Sequence, residues 1–390
     1  QSPKGRASLL REWLRQESQG GADPELEHQV YQSMQSCLAC KACTTACPIK
    51  VDIPTYRSRF LQHYYNHHRR PLGDYAVGLV EHFGLYGSKV AWVSNALIQL
   101  RPSQWLIQRL FGMVNMPQVH AYGIERLASI DGVEMWHKER FEGLSEQHKQ
   151  RYPVIVQDVF TSCYDLPQMK QILSCLVNMG FKPLVMPMMP SGKPLYVKGF
   201  LRAFDRQAGK VVKQLKAARE QGFELVAVDP SVGLTYRDEY CQRLGAKEVP
   251  EVALLQEWLT SHLHEVKLPK SLNKPKQVVS LLGHCSENAL VTRSLESWRN
   301  IFAKFAVDLH TPAVGCCGMA GTFGHEAKHR ALSTRLYQMS WQQAAQASIN
   351  NTDTVLATGY SCRSQIRQQT GATPQHPLTY LNCLFDEVED

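Results

Sequence analysis

Four cysteines at fixed spacing, Cys37, Cys40, Cys43 and Cys47, are followed at once by Pro48, giving a C-x2-C-x2-C-x3-C-P run. This is the ferredoxin-type ligand run for a [4Fe–4S] cluster. Two-residue gaps let a tightly turned loop aim successive thiolates at neighbouring irons. Thiolates are the soft ligands that iron–sulfur cores take, and the small residues Ala39, Ala42 and Ala46 let backbone N–H groups approach the sulfurs. Zinc and disulfides are the competing readings. Structural zinc usually draws ligand pairs from two separated knuckles, and here there is a single run. A second group comprises Cys285, the pair Cys316-Cys317 followed by Gly318, and Cys362. Adjacent cysteines in a loop with Gly315, Gly318 and Gly321 can offer two thiolates from a backbone free to bend. The group reads either as a second metal or cluster site or as a buried thiol cluster without metal. The loop spacing, Gly-x-x-Gly-x-x-Gly, is not the dinucleotide fingerprint, so nucleotide binding is not expected. His284, His310 and His325 read as hydrogen-bonded loop histidines rather than ligands.

The elements that must position these cysteines follow from periodicity and caps. Residues 1–20 read as a helix around Leu9, Leu10, Trp13 and Leu14. Asp23-Pro24-Glu25 starts a second helix, and its stripe of Leu26, Val30 and Met34 delivers the chain to Cys37. Asp52-Ile53-Pro54 starts a third, with Tyr56, Phe60 and Tyr64 on one face. Residues 72–120 read as amphipathic helices broken at Pro102 and Pro117. Their Phe83, Trp92, Trp105, Leu110 and Phe111 are taken as helical core, with a quinone or lipid surface as the alternative. At about 150 the pattern changes to strands near 153–157, 183–186 and 224–228, alternating with helices at 166–179 and 203–220. It then recurs, with strands at 277–282, 305–309 and 354–358 and helices at 288–304 and 325–347. Cys163 follows the first strand of one pass as Cys285 follows the first strand of the other. Val228-Asp229-Pro230-Ser231-Val232 stands where Thr358-Gly359-Tyr360-Ser361-Cys362 stands later. The reading is a duplicated α/β unit with parallel sheets, spanning 151–265 and 275–390 and joined by the stretch Lys267–Lys276. The cysteines of the second group would then lie at the strand ends, where open α/β sheets bind ligands.

The chain has 390 residues, enough for two or three domains, and a net charge of +8. Its basic residues are spread out, and the short run His67-His68-Arg69-Arg70 reads as a solvated face, so no nucleic-acid partner is expected. Twelve cysteines without a secretory signal fit a reducing, cytoplasmic setting and metal use, with peripheral contact at the inner membrane left open. No apolar run reaches the length of a transmembrane segment. Gln1 rather than Met opens the sequence, which reads as a processed or excised piece.

The cysteine run, the helical connector and the Cys…Cys-Cys-Gly…Cys pattern resemble the CCG-domain iron–sulfur oxidoreductases. That group includes heterodisulfide reductase subunits, one subunit of anaerobic glycerol-3-phosphate dehydrogenase and the iron–sulfur subunit of glycolate oxidase. The opening, from Pro3 to Trp13, is similar to the junction in large bacterial FAD-linked D-2-hydroxyacid dehydrogenases, in which an FAD-binding oxidase half comes first. The resemblance implies a mixed fold. Residues 1–36 would be helices joining that FAD half, and 37–150 an all-α ferredoxin-type [4Fe–4S] domain and connector. Residues 151–265 would be a degenerate α/β CCG repeat and 275–390 a complete one. It also implies departures. Relatives that are separate subunits carry two ferredoxin runs. Here Pro190-Ser191-Gly192-Lys193-Pro194 replaces one cysteine pair, Val232 stands in a later cysteine position, and the second repeat ends in Cys362-Arg-Ser-Gln365.

Two full CCG clusters are therefore not expected. The cluster is expected on Cys37, Cys40 and Cys43, with Cys47 as fourth ligand and Cys316 or Cys317 as the alternative. The expected role is electron transfer from FAD in the upstream half, through the cluster, to a quinone or carrier, with no catalytic residue in this chain. A thiol or heterodisulfide reductase acting through the second cysteine group, and a docking module stabilised by metal, are the competing readings. Homo-oligomerisation is left open.

Overall fold

A computed structural model describes residues 2–121, 127, 129–139, 149–272, 278–349 and 353–386. The expected linker Lys267–Lys276 runs beyond them, since 273–277 lie outside the described residues. The architecture is mixed α/β with two parallel sheets. Strands β1 (Glu134–Met135), β2 (Val154–Val156), β3 (Leu184–Val185), β4 (Leu225–Ala227) and β5 (Val252–Leu254) form the first, in the order β1-β3-β2-β4-β5. Strands β6 (Val278–Leu282), β7 (Leu309–His310) and β8 (Asp353–Ala357) form the second, in the order β7-β6-β8. Every pairing is parallel. The order β3-β2-β4 repeats as β7-β6-β8, so the duplication read from the sequence is a duplication of topology.

Both sheets are buried, as continuous apolar runs in parallel strands require. Val154, Ile155 and Val156 are covered, as are Leu281 and Leu282. Helix Leu166–Asn178 of the first repeat packs on helix Pro377–Asp386 of the second, and one apolar cluster runs across the seam from Ile155 and Val226 to Leu281 and Leu356. Polar groups fasten the same seam. Arg363, almost fully buried, bonds Asp165 Oδ2 through Nε at 2.9 Å and donates to the carbonyls of Ala357 and Thr358. Asp229 accepts the Tyr360 N–H at 2.9 Å.

The N-terminal helices begin where the caps place them. Asp23 accepts the Glu25 N–H, and Asp52 accepts the Thr55 N–H at 3.1 Å. Helices Pro3–Glu17, Pro24–Gln35 and Ile53–His67 close on a small core of Leu10, Trp13, Val30, Met34 and Phe60.

Several expectations change. Tyr56 does not share the buried face of Phe60 and Tyr64; it is exposed. The expected helix 288–304 is two, Cys285–Leu290 and Ser294–Lys304, and 325–347 breaks into turns, Arg330–Ser340 and Gln342–Ile349. The larger correction concerns Phe83, Trp92, Trp105, Leu110 and Phe111, read as core. All five are exposed, Trp92 by 80%. Their helices, from Val80–Gly87 to Arg101–Phe111, are short and lie on the surface, so only one flank of each meets the protein body. Periodicity reports an apolar stripe but not what covers it.

Candidate metal centre where two cysteine groups meet

Helix Pro24–Gln35 ends with the Cys37 N–H bonded to the Met34 carbonyl at 3.2 Å. The chain then turns sharply. Ala39 and Lys41 both take left-handed backbone angles, with φ of 53° and 61°. Non-glycine residues pay for that conformation, and it persists where the surroundings fix it. Lys41 is what fixes it. Its side chain is 3% exposed and reaches three carboxylates: Asp52 at 2.9 Å, Asp238, and Glu239 at 4.0 Å. Burial disfavours its charge, but Glu239, Asp238 and Asp52 together outweigh burial and raise its pKa above the ordinary range. Asp52 caps the next helix and Asp238 and Glu239 belong to the first α/β repeat, so one ammonium ties the cysteine loop to both.

The loop is thereby held against the second cysteine group. The short helix Ala42–Ala46 packs on helix Cys285–Leu290. Cys40 faces Cys316, Cys37 and Cys43; burial first, then these sulfurs, push its thiol up to about 11. Cys316 adjoins both Cys285 and Cys317, and interaction with their thiols lowers its pKa. The same interactions, with burial, push Cys285 and Cys317 up. Cys317 also meets Cys362. The four cysteines of the second group, far apart in sequence, thus converge, and Cys40 adjoins them. Cys47 stands apart. Its sulfur receives backbone N–H groups of Val51, Ile49 and Lys50, which favour the thiolate.

The glycine at 318 is required by space. Its φ is +91°, and a Cβ there would lie 2.2 Å from the Ser333 carbonyl oxygen. Its N–H points at the Cys316 sulfur at 3.4 Å. His284 sets the other side. Its Nδ1 accepts the Ser286 N–H at 3.3 Å, which leaves Nε2 to donate to Ser361. Buried Glu287 accepts from Gln256, Ser294, Trp298 and Thr358 and from the His284 N–H, locking this corner to both repeats. His310 and His325 hydrogen-bond to Ser280 and to the Val114 carbonyl.

The donors that meet here are cysteine sulfurs, the soft kind that iron–sulfur centres take, and as they stand they are not gathered as one zinc ion would need. Zinc with thiolates at about 2.3 Å brings the ligand sulfurs to within roughly 4 Å of one another. Among the described residues no three cysteine sulfurs lie within 4.8 Å of one another; the trio that does meet that limit is Glu17, Glu27 and His63, on the N-terminal helices.

The first repeat shows what replaces the missing pair. Gly192, φ +76°, occupies the place of Gly318 after its own second strand. The Glu81 carboxylate, fully buried, accepts the N–H groups of Ser191 at 2.9 Å and Gly192 at 2.8 Å and the Ser191 hydroxyl at 2.7 Å. Burial raises its pKa despite those three donors. Cys163 is buried with its sulfur 3.8 Å from that of Met188. Lys41, Glu81 and Glu287 were not singled out from the sequence. A lone acid within Leu79-Val80-Glu81-His82-Phe83 is the kind of signal that marks a buried acceptor.

No family model matches the chain. It is 36% identical over 97% of its length to the D-2-hydroxyglutarate dehydrogenase of Escherichia coli K12, and 35% identical over 97% to that of Pseudomonas putida. It is also 27% identical over 56% of its length to one subunit of the anaerobic glycerol-3-phosphate dehydrogenase of Escherichia coli K12. The chain spans 40% of the length of the two D-2-hydroxyglutarate dehydrogenases. These relatives are dehydrogenases, so the chain is similar to part of an oxidoreductase. No described helix is long and apolar enough to cross a membrane.

Proposed function

We propose that the chain is the electron-transfer portion of an FAD-dependent 2-hydroxyacid dehydrogenase. The observation that carries this reading is the convergence of two thiol groups, Cys37, Cys40 and Cys43 on one side and Cys285, Cys316, Cys317 and Cys362 on the other. A [4Fe–4S] cluster held on the first of these would supply one-electron transfer between a flavin and an acceptor. The protein's own contribution is to anchor the first cysteine loop through Lys41, to fit the second through Gly318, and to direct N–H groups at the sulfurs of Cys316 and Cys47. Cys47, with three N–H groups on its sulfur, and Cys316, which faces Cys40, are the two candidates for fourth ligand. The FAD-binding portion and a quinone or carrier are the proposed partners. The exposed apolar face at 83–111 supports a covering partner, since patches of that kind mark interaction surfaces.

Anaerobic purification followed by iron and acid-labile sulfide analysis tests the reading. Visible charge-transfer absorption should be present and should be lost in Cys40→Ser. Stoichiometric zinc with neither iron nor sulfide would overturn it.

A further inference from the structure

A cavity of about 110 Å³ opens between the two repeats beside both cysteine groups. Cys40 and Cys285 each line it. Phe160, Tyr164 and Tyr360 contribute three ring systems whose centroids are 6.1–6.3 Å apart. Met113, Met116 and Val77 add flexible and aliphatic surface, which moulds to flat ligands.

The polar lining is spent or neutral. Lys193 is committed to Glu239 at 2.7 Å. Asp229 has both oxygens occupied, Oδ1 by the N–H groups of Ser231 and Val232 and Oδ2 by that of Tyr360. Burial keeps His325 low in pKa and therefore uncharged. An anionic hydroxy acid or a phosphate would need an uncommitted cation here, and the lining cations among the described residues offer none. A neutral, planar, carbonyl-bearing ring needs aromatic surface and a hydrogen-bond donor, and the lining supplies the donor in the buried Tyr360 hydroxyl, which has no hydrogen-bond partner among the described residues.

We infer that this cavity binds a quinone ring as the electron acceptor, within touching distance of the residues that hold the redox centre. The inference rests on the electron-transfer reading above and adds to it the acceptor's class and place. Reduction takes two electrons and two protons, converting both ring carbonyls to hydroxyls; an iron–sulfur centre held by Cys37, Cys40 and Cys43 would supply the electrons one at a time, and water the protons.

The test is direct binding of a water-soluble short-chain ubiquinone to the anaerobically purified chain, followed by isothermal titration calorimetry. Met116 and Thr322 line the cavity and are only partly buried, so Met116→Trp and Thr322→Trp fill it with little cost to folding. Each should raise the dissociation constant at least tenfold while the thermal midpoint and visible absorption stay as in the wild type. Adding D-2-hydroxyglutarate should not displace the quinone. Iron-loaded wild type that fails to bind quinone, or two tryptophan variants that bind it as wild type does, would overturn the assignment. Displacement by the hydroxy acid would do the same. A preparation that binds quinone but holds no iron overturns the redox reading and leaves the pocket standing.

Discussion

Asp158 lies at the seam of the two repeats, 3% exposed, with Oδ1 accepting the Thr161 N–H at 2.7 Å. Burial first, then the charge of Asp229, raises its pKa to about 7, against the Thr161 N–H bond and the charge of Arg363. The folded state therefore keeps a proton that the unfolded chain has released by about pH 4. Protons bound in excess by the folded state make stability fall as pH rises, here between about 4 and 7. Asp158→Asn keeps an oxygen for Thr161 and removes the proton. Urea midpoints at pH 5 and pH 8 should differ less in the variant than in the wild type, and the variant should gain most at pH 8. Equal differences in the two proteins would count against the seam assignment. At this scale the cysteines were legible, because their spacing alone carries their chemistry. Lys41 was not, because its three carboxylates come from positions 52, 238 and 239 and only the fold brings them together.

Strands are where sequence reading went furthest among the elements. Five of the six expected strands stand where they were read, since β2, β4, β6 and β8 are short runs rich in apolar residues. The sixth, read at 305–309, is displaced, because Phe305 caps the preceding helix and β7 is Leu309–His310. β1 and β5 escaped notice. β1 is two residues long, and the apolar run of β5 continues without a break into helix Leu255–Ser261. The surface helices were misread for the opposite reason, as their pattern was strong and its direction was not encoded. Helix Val80–Gly87 carries the element's decisive residue inward. Glu81→Ala would leave two buried N–H groups and a hydroxyl of the Ser191-Gly192 turn without their acceptor. The expected cost is about 2–4 kcal/mol. A urea midpoint unchanged from wild type would show that water or the backbone had replaced the carboxylate. Glu81→Gln, which keeps one oxygen in place, should recover part of the loss.

Across the whole molecule, the duplicated topology was readable because landmarks recur at matching places, Cys163 with Cys285 and Asp229 with Gly359. How the halves join was not, because the seam uses single residues such as Arg363, almost fully buried against Asp165, whose partners lie about two hundred positions away. The Glu81 carboxylate has a consequence of its own. One repeat is closed by oxygen and the other by sulfur, so the two age differently. Peroxide and air attack thiolates, and a chelator would strip iron held on them, while a carboxylate in a turn offers them nothing. Damage should therefore begin in one half and stop at the seam. Hydrogen–deuterium exchange after chelation should show faster exchange around Cys285, Gly318 and Cys362, with the amides of β2 and β4 still protected. Uniform loss of protection in both sheets would mean that the halves stand or fall together. Exchange confined to one sheet would mark a half that wears beside a half that keeps its shape.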